Sequence, residues 1–288
     1  MAFVDSDQLI DIARVCDQCG YHGILVSDHL LFPEKLSSPY PYSATGAPIW
    51  SPSTPWPDPW VLIGAMAATT TRLWFSTNIY VAPIRSPFVT AKAVATAAVL
   101  SDNRVALGVA AGWMREEAEL LGVDFDNRGA RLDELVEVLR TLWRGGMVEF
   151  HGTYYDFDRL EMSPVPDRPI PIYGGGHSDP ALRRAAQLDG WIGNAYPAPE
   201  ALAVAEKLQQ QRRKAGRAGE PYETILGVLA RPELETYQRL EEAGVTGMIC
   251  APWINAKPSA ESANRIAAFD DKRAAIERFA ETIVAPLA

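Results

Sequence analysis

The residues of this chain best suited to chemistry follow a short apolar run. Gly23-Ile24-Leu25-Val26 gives way to Ser27-Asp28-His29. That pattern reads as a buried parallel strand whose C-terminal end delivers polar side chains to a site. An imidazole in that place holds or moves a proton near neutral pH. A buried histidine bonded to backbone would look the same in sequence. Asp28 beside it orients the imidazole, binds a ligand hydroxyl or caps the turn. Gly174-Gly175-Gly176-His177-Ser178 stands between an expected strand and an expected helix. A glycine turn opening a helix presents amides to an anion, and the helix dipole favours negative charge there. An ordinary tight turn has the same composition. Ala110-Ala111-Gly112-Trp113 ends another expected strand. Small residues let backbone approach a ligand closely, and Trp113 either walls a pocket or packs. Trp50, Trp56 and Tyr40 lie in a long loop, where they cover an apolar substrate or only anchor the loop. Arg115 and Arg128 meet a phosphate or stay solvated. No His-x-His pair and no carboxylate cluster suggests a metal. Cys16-Asp17-Gln18-Cys19 has no second cysteine pair to complete a zinc site, so it reads as structural.

These residues need a scaffold, and the sequence alternates strand-like and helix-like segments from end to end. Strands are expected at 23–26, 73–77, 104–109, 170–173, 191–192, 225–229 and 247–251. Helices are expected at 6–19, 57–69, 87–100, 128–143, 180–188, 198–214, 234–243 and 260–283. The helix at 128–143 carries an apolar stripe at Leu132, Leu135, Val136, Leu139 and Leu142. Two further segments, 147–150 and 154–157, flank His151-Gly152-Thr153 as a hairpin. Sustained alternation means a parallel sheet in an α/β fold. An eighth strand before the first helix would have to be a shortened one, Ala2-Phe3-Val4. One domain over 1–288 suits the length.

Apolar residues make up 48% and charged residues 22% of the chain, which places it among ordinary globular proteins. The formal net charge of -9 argues against nucleic acid and against an anionic membrane as partners. Three cysteines, no secretory leader and no apolar run of about 18 residues point to the cytoplasm.

Several motifs in order then carry a resemblance. They are Ser27-Asp28-His29; Asp58-Pro59-Trp60; Thr77-Asn78-Ile79-Tyr80-Val81-Ala82-Pro83; Arg104 through Gly112-Trp113; Leu121-Gly122-Val123; Arg128-Gly129; and Gly174-Gly175-Gly176 followed by Asp189-Gly190-Trp191. From about Asp7 to Trp253 the chain resembles the luciferase-like monooxygenase superfamily, and within it the branch using the 5-deazaflavin coenzyme F420. The resemblance implies a (β/α)8 TIM barrel with an insertion after the fourth helix, matching the hairpin. It implies an oxidoreductase that transfers hydride between coenzyme F420 and a small organic substrate, with His29 as the catalytic residue. By the same resemblance the cofactor is held by Ser27, Asp28, His29, Thr77, Asn78, Ile79, Ala111, Gly112, Gly174, Gly175, Gly176 and His177. From residue type and place alone, Trp50, Trp56 and Trp113 are expected to line the substrate pocket. The resemblance also implies a cis peptide bond at Asn78-Ile79 that presses on the ring, and a homodimer. Flavin mononucleotide with molecular oxygen is the alternative chemistry, and a non-catalytic flavin-binding or structural member is a third reading. Two departures stand out. The sugar-phosphate dehydrogenase branch has a catalytic glutamate where this chain has Trp113, and a tryptophan where it has Pro33, so that reaction is not implied.

Overall fold

The computed structural model describes residues 4–229, 233–255 and 268–287. After a turn of 3-10 helix at Ser6–Gln8, α1 (Leu9–Gln18) buries Leu9, Ile12, Ala13, Val15 and Cys16. That is the i, i+3, i+4 spacing of an amphipathic helix. Gly20, at φ +80°, turns the chain toward β1 (Gly23–Val26). Then come α2 (Pro59–Ala67), β2 (Trp74–Thr77), β3 (Tyr80–Val81), α3 (Pro87–Leu100) and β4 (Val105–Ala110). Next are α4 (Arg115–Leu120), α5 (Arg128–Leu142), β5 (Val148–His151), β6 (Asp156–Leu160) and β7 (Ile172–Gly175). The rest is α6 (Asp179–Ala185), β8 (Gly190–Tyr196), α7 (Ala198–Lys214), β9 (Glu223–Val228), α8 (Leu234–Glu242), β10 (Gly247–Ile249) and α9 (Phe269–Phe279).

The main sheet has eight strands in the order β1-β2-β4-β7-β8-β9-β10, with β3 also on β4, and all its pairings are parallel. Helices cover its outer face, and on the inner face strand residues such as Ala106, Tyr173 and Ile192 pack on one another, so both faces of a strand are dry. Val105, Ala106, Leu107, Gly108 and Val109 of β4 are all buried for that reason. The curled parallel sheet with its helices is the expected TIM-type architecture. The antiparallel hairpin β5–β6 follows α5, the fourth long helix, where the insertion is expected. Among the described residues β1 and β10 are the sheet's two edges and do not pair with one another. Ala2 and Phe3 of the expected first strand lie outside the described residues. Val4 is buried but belongs to no strand. α1 and α9 pack together instead: buried Lys272 donates to Gln8 Oε1 at 2.6 Å, and the Tyr21 hydroxyl to the Ile276 carbonyl at 2.9 Å.

Most boundaries agree with the expected ones within two residues; the departures have local causes. Asp58 caps α2, its Oδ1 accepting from the N–H groups of Trp60 and Val61 at 3.0 Å, so Pro57 stays outside the helix. β7 runs to Gly175, which puts the first two glycines of the triplet inside the sheet. α6 ends at Ala185, three residues early, because the chain must enter β8 at Gly190. The sequence pattern does not announce α4, which is only six residues long, or β3. Of the expected terminal helix, 260–267 falls outside the described residues and α9 accounts for most of the remainder. No helix among the described residues is long and apolar enough to cross a membrane.

Candidate active site

A bulge in the sheet builds the first wall of the site. β2 pairs with β4 through Ser76 and Ala106, and β3 resumes at Tyr80 and Val109. Three residues on one side therefore oppose two on the other, and the extra one bends the strand out of the ladder. Thr77 closes the gap with its side chain. Its hydroxyl donates to the Gly108 carbonyl at 2.7 Å and accepts from the Gly108 N–H at 3.0 Å. The Asn78 N–H donates to the Val26 carbonyl at 2.7 Å, which keeps the bulge against β1. The Asn78–Ile79 peptide bond is cis, as the family resemblance implies. Ile79 lies on Gly175, where a Cβ would stand 2.6 Å from Ile79 Cγ1, so that position needs glycine.

Asp28 ties β1 to the same wall. Its Oδ2 accepts from the Val81 N–H at 3.0 Å and its Oδ1 from Arg85 Nη2 at 2.7 Å. The pair is buried, Asp28 at 1% and Arg85 at 10% side-chain exposure. Burial pushes the Asp28 carboxyl up, against the lowering pull of Arg85. A carboxylate engaged in this way does not orient His29, which corrects one of the roles open to it in the sequence.

The loop between β1 and α2 builds a second wall and is held by α4. Glu116 Oε1 accepts from the Ser37 N–H and hydroxyl, both at 2.6 Å, and from the Ser38 N–H at 3.1 Å; its Oε2 accepts from the Ser38 hydroxyl at 2.7 Å. Desolvation raises this carboxyl, yet the serine donors outweigh it and hold the group down at about 2. The next residue, Glu117, is buried and its Oε1 accepts from the Leu30 N–H at 2.8 Å. Held so, the loop sets its aromatic rings around His29. The imidazole centroid lies 5.2 Å from Trp50, 5.6 Å from Trp56 and 6.0 Å from Trp113. Tyr40 packs edge-on against Trp50 at 4.8 Å and Trp113 at 5.2 Å, separations typical of aromatic pairs.

A third wall is polar. Gly176 takes φ +92° and hands the chain to His177 and to Ser178, the N-cap of α6. His177 faces Tyr42 at 4.8 Å between centroids. Arg115, Arg128 and Arg184 line the same space. Arg115 pairs with Asp126 and Arg184 with Asp133. Arg128 makes no ion pair among the described residues; it donates to the carbonyls of Gly112 at 3.0 Å and Phe125 at 2.8 Å. Burial, and then the charge of Arg115, lower its guanidinium from the ordinary arginine range. A guanidinium in that position is stabilised by an added anion.

The three walls enclose one cavity of about 1060 Å³ at the C-terminal ends of the strands, at the upper end of ordinary ligand pockets. Ser27, Asp28, His29, Asn78, Ile79, Ala111, Gly112, Gly175, Gly176, His177, Trp50, Trp56 and Trp113 all line it. Thr77 and Gly174, also expected to hold the cofactor, do not line it. Thr77 is fully buried with its hydroxyl closed on Gly108. A Cβ on Gly174 would meet Ala185 at 2.8 Å, so that glycine serves the packing of α6 on β7. Sequence reasoning misses Glu116 and Glu117: α4 is only six residues long, and the burial of Met114, Glu117 and Ala118 shows only in the structure.

Comparison with known proteins agrees with this geometry. The family model described as luciferase-like monooxygenase matches residues 4–281. An uncharacterized protein of Mycobacterium tuberculosis is 37% identical over 248 residues, 86% of each chain. The F420-dependent glucose-6-phosphate dehydrogenase of Nakamurella multipartita is 31% identical over 225 residues, which are 76% of this chain and 62% of that protein. Among solved structures, the coenzyme F420 dependent tetrahydromethanopterin reductase of Methanopyrus kandleri superposes with a TM-score of 0.74 at 14% identity, over 100% of this chain and 97% of that one. At that identity the likeness speaks for the fold.

Proposed function

Since the chain belongs to the luciferase-like monooxygenase family, we propose that it is an oxidoreductase that transfers hydride between coenzyme F420 and a small organic substrate. One observation carries the reading: a single cavity at the strand ends brings together His29, a strand-end face of Ile79, Ala111 and Gly175, and a wall of Gly176, His177, Ser178 and Arg128. These surfaces fit a tricyclic ring with an anionic tail. Ile79, Ala111 and Gly175 offer the ring an apolar face. Gly176, His177, Ser178 and Arg128 offer donors and charge to the tail.

Bound there, a deazaflavin supplies or accepts the hydride. The protein does the rest. His29 Nε2 takes the proton of a substrate hydroxyl: the O–H bond breaks, an N–H bond forms, and the electron pair stays on oxygen as the carbonyl forms. In the reverse direction His29 returns that proton to the oxygen. Trp50, Trp56 and Trp113 surround the imidazole and keep bulk water from it. They also favour a flat or apolar substrate. Three free cysteines support a cytoplasmic setting. A homodimer is supported by Val61 on α2 and by Val89, Val99 and Leu100 on α3, large apolar side chains left exposed.

The test is a fluorescence titration with oxidised coenzyme F420 and, separately, flavin mononucleotide. Saturable binding with a clear preference for F420 supports the reading. Preference for flavin mononucleotide, with oxygen uptake on turnover, moves the chain to the oxygen-using chemistry for which its family is named. Binding of neither leaves the non-catalytic reading.

A further inference from the structure

We propose that Glu117 is the positioning residue of His29: from α4 it fixes the imidazole as the Nδ1–H tautomer and leaves Nε2 to the cavity. The proposal rests on His29 being the proton carrier of the site.

His29 Nδ1 is buried without a hydrogen-bond partner, and Glu117 Oε2 stands 3.5 Å from it. Both groups are out of water, with side-chain exposures of 13% and 2%. Glu117 Oε1 is engaged by the Leu30 N–H, one residue beyond His29. The carboxylate is therefore anchored to the same backbone that carries the ring, and Oε2 is the oxygen that faces it. Asp28, the neighbour in sequence, is occupied by Val81 and Arg85.

A neutral imidazole has one N–H and one lone pair. With the proton on Nε2, the Nδ1 lone pair would face a buried carboxylate oxygen, and neither would be satisfied. With the proton on Nδ1, the two groups answer each other. A small turn of the ring brings 3.5 Å to hydrogen-bond length, the kind of tightening that catalytic pairs undergo on binding. Nε2 then keeps its lone pair for the substrate proton. Once that proton arrives, the imidazolium lies against the Glu117 carboxylate. α4 so carries two adjacent carboxylates with different work: Glu116 holds the loop, and Glu117 holds the ring.

The tautomer is read directly by long-range proton–nitrogen NMR on protein labelled with nitrogen-15 histidine, with no cofactor present. His29→Asn assigns the signals among the four histidines. The wild type is expected to show a protonated Nδ1 and a lone-pair Nε2 at His29. In Glu117→Gln the amide oxygen stays on the Leu30 N–H, so the amide nitrogen turns to the ring. Its hydrogen then demands a lone pair on Nδ1, and the tautomer is expected to invert. A wild-type Nε2–H tautomer, or an unchanged spectrum in Glu117→Gln, overturns the proposal. If Glu117→Gln does not fold, the wild-type spectrum and Glu117→Asp decide. F420 binding is titrated separately on the same samples. Failed binding with the expected tautomers defeats the cofactor reading and leaves Glu117 in its role; normal binding with the wrong tautomer does the reverse.

Discussion

The strand-end wall and the loop wall meet at His29, and they are held by different physics. The strand-end wall consists of ladder ends, a bulge sealed by Thr77, and a buried ion pair between Asp28 and Arg85. Its groups lie in low dielectric, where leaving a partner unpaired costs several kcal/mol. The loop wall has no regular structure between β1 and α2. It rests on serine bonds to one half-exposed carboxylate and on rings packed edge to face. The first wall is inseparable from the fold, whereas the second can change without unfolding the protein. Such a division gives the cavity a rigid floor and a covering loop that is free to vary.

The hardest blow to the first wall is Asp28→Asn. It leaves Arg85 buried beside a neutral amide, and the expected loss is ~3–5 kcal/mol of unfolding free energy, read by urea denaturation. A loss under about 1 kcal/mol would mean that this wall is no stiffer than the loop. Thr77→Val is next. It strips the Gly108 N–H and carbonyl of their partner inside the sheet, for an expected ~1–3 kcal/mol. On the loop side, Glu116→Gln should cost under about 1 kcal/mol. Limited proteolysis within residues 37–56 should nevertheless become several-fold faster, since local opening no longer needs to break the serine bonds. Equal effects of Asp28→Asn and Glu116→Gln on both readouts would erase the contrast.

Acid sharpens it further. The Glu116 carboxyl is lowered in the folded chain from 4.5 to about 2. Its hold on the loop is therefore complete above 4.5 and is lost as the pH falls toward about 2. Tryptophan emission from the cluster of Trp50, Trp56 and Trp113 should follow that loss in the wild type. Glu116→Gln should show the opened spectrum already at neutral pH. A pH-independent emission in both proteins would remove Glu116 from the account.

The two walls also differ in how far the sequence announces them. Gly23–Val26 followed by Ser27-Asp28-His29 is legible because a buried parallel strand must be apolar until it emerges. The alternation of strands and helices gives the parallel sheet for the same reason. That Thr77 closes on Gly108 and Gly174 lies under α6 is not legible, because both placements depend on the pairing register. Glu116 and Glu117 escape notice because α4 is too short for periodicity to reveal. Their partners, Ser37, Ser38 and His29, lie some 80 to 90 residues away in sequence. Long-range side-chain bonds leave no local trace, and here they hold the loop and face the histidine.

The most direct test of the central claim is a crystal structure with oxidised coenzyme F420 bound. The account predicts the deazaflavin ring against the Asn78–Ile79 peptide and Gly175, within hydrogen-bond reach of His29. It predicts the anionic tail on Gly176, His177, Ser178 and Arg128. A ring bound outside this cavity, or a tail directed away from Arg128, would contradict it.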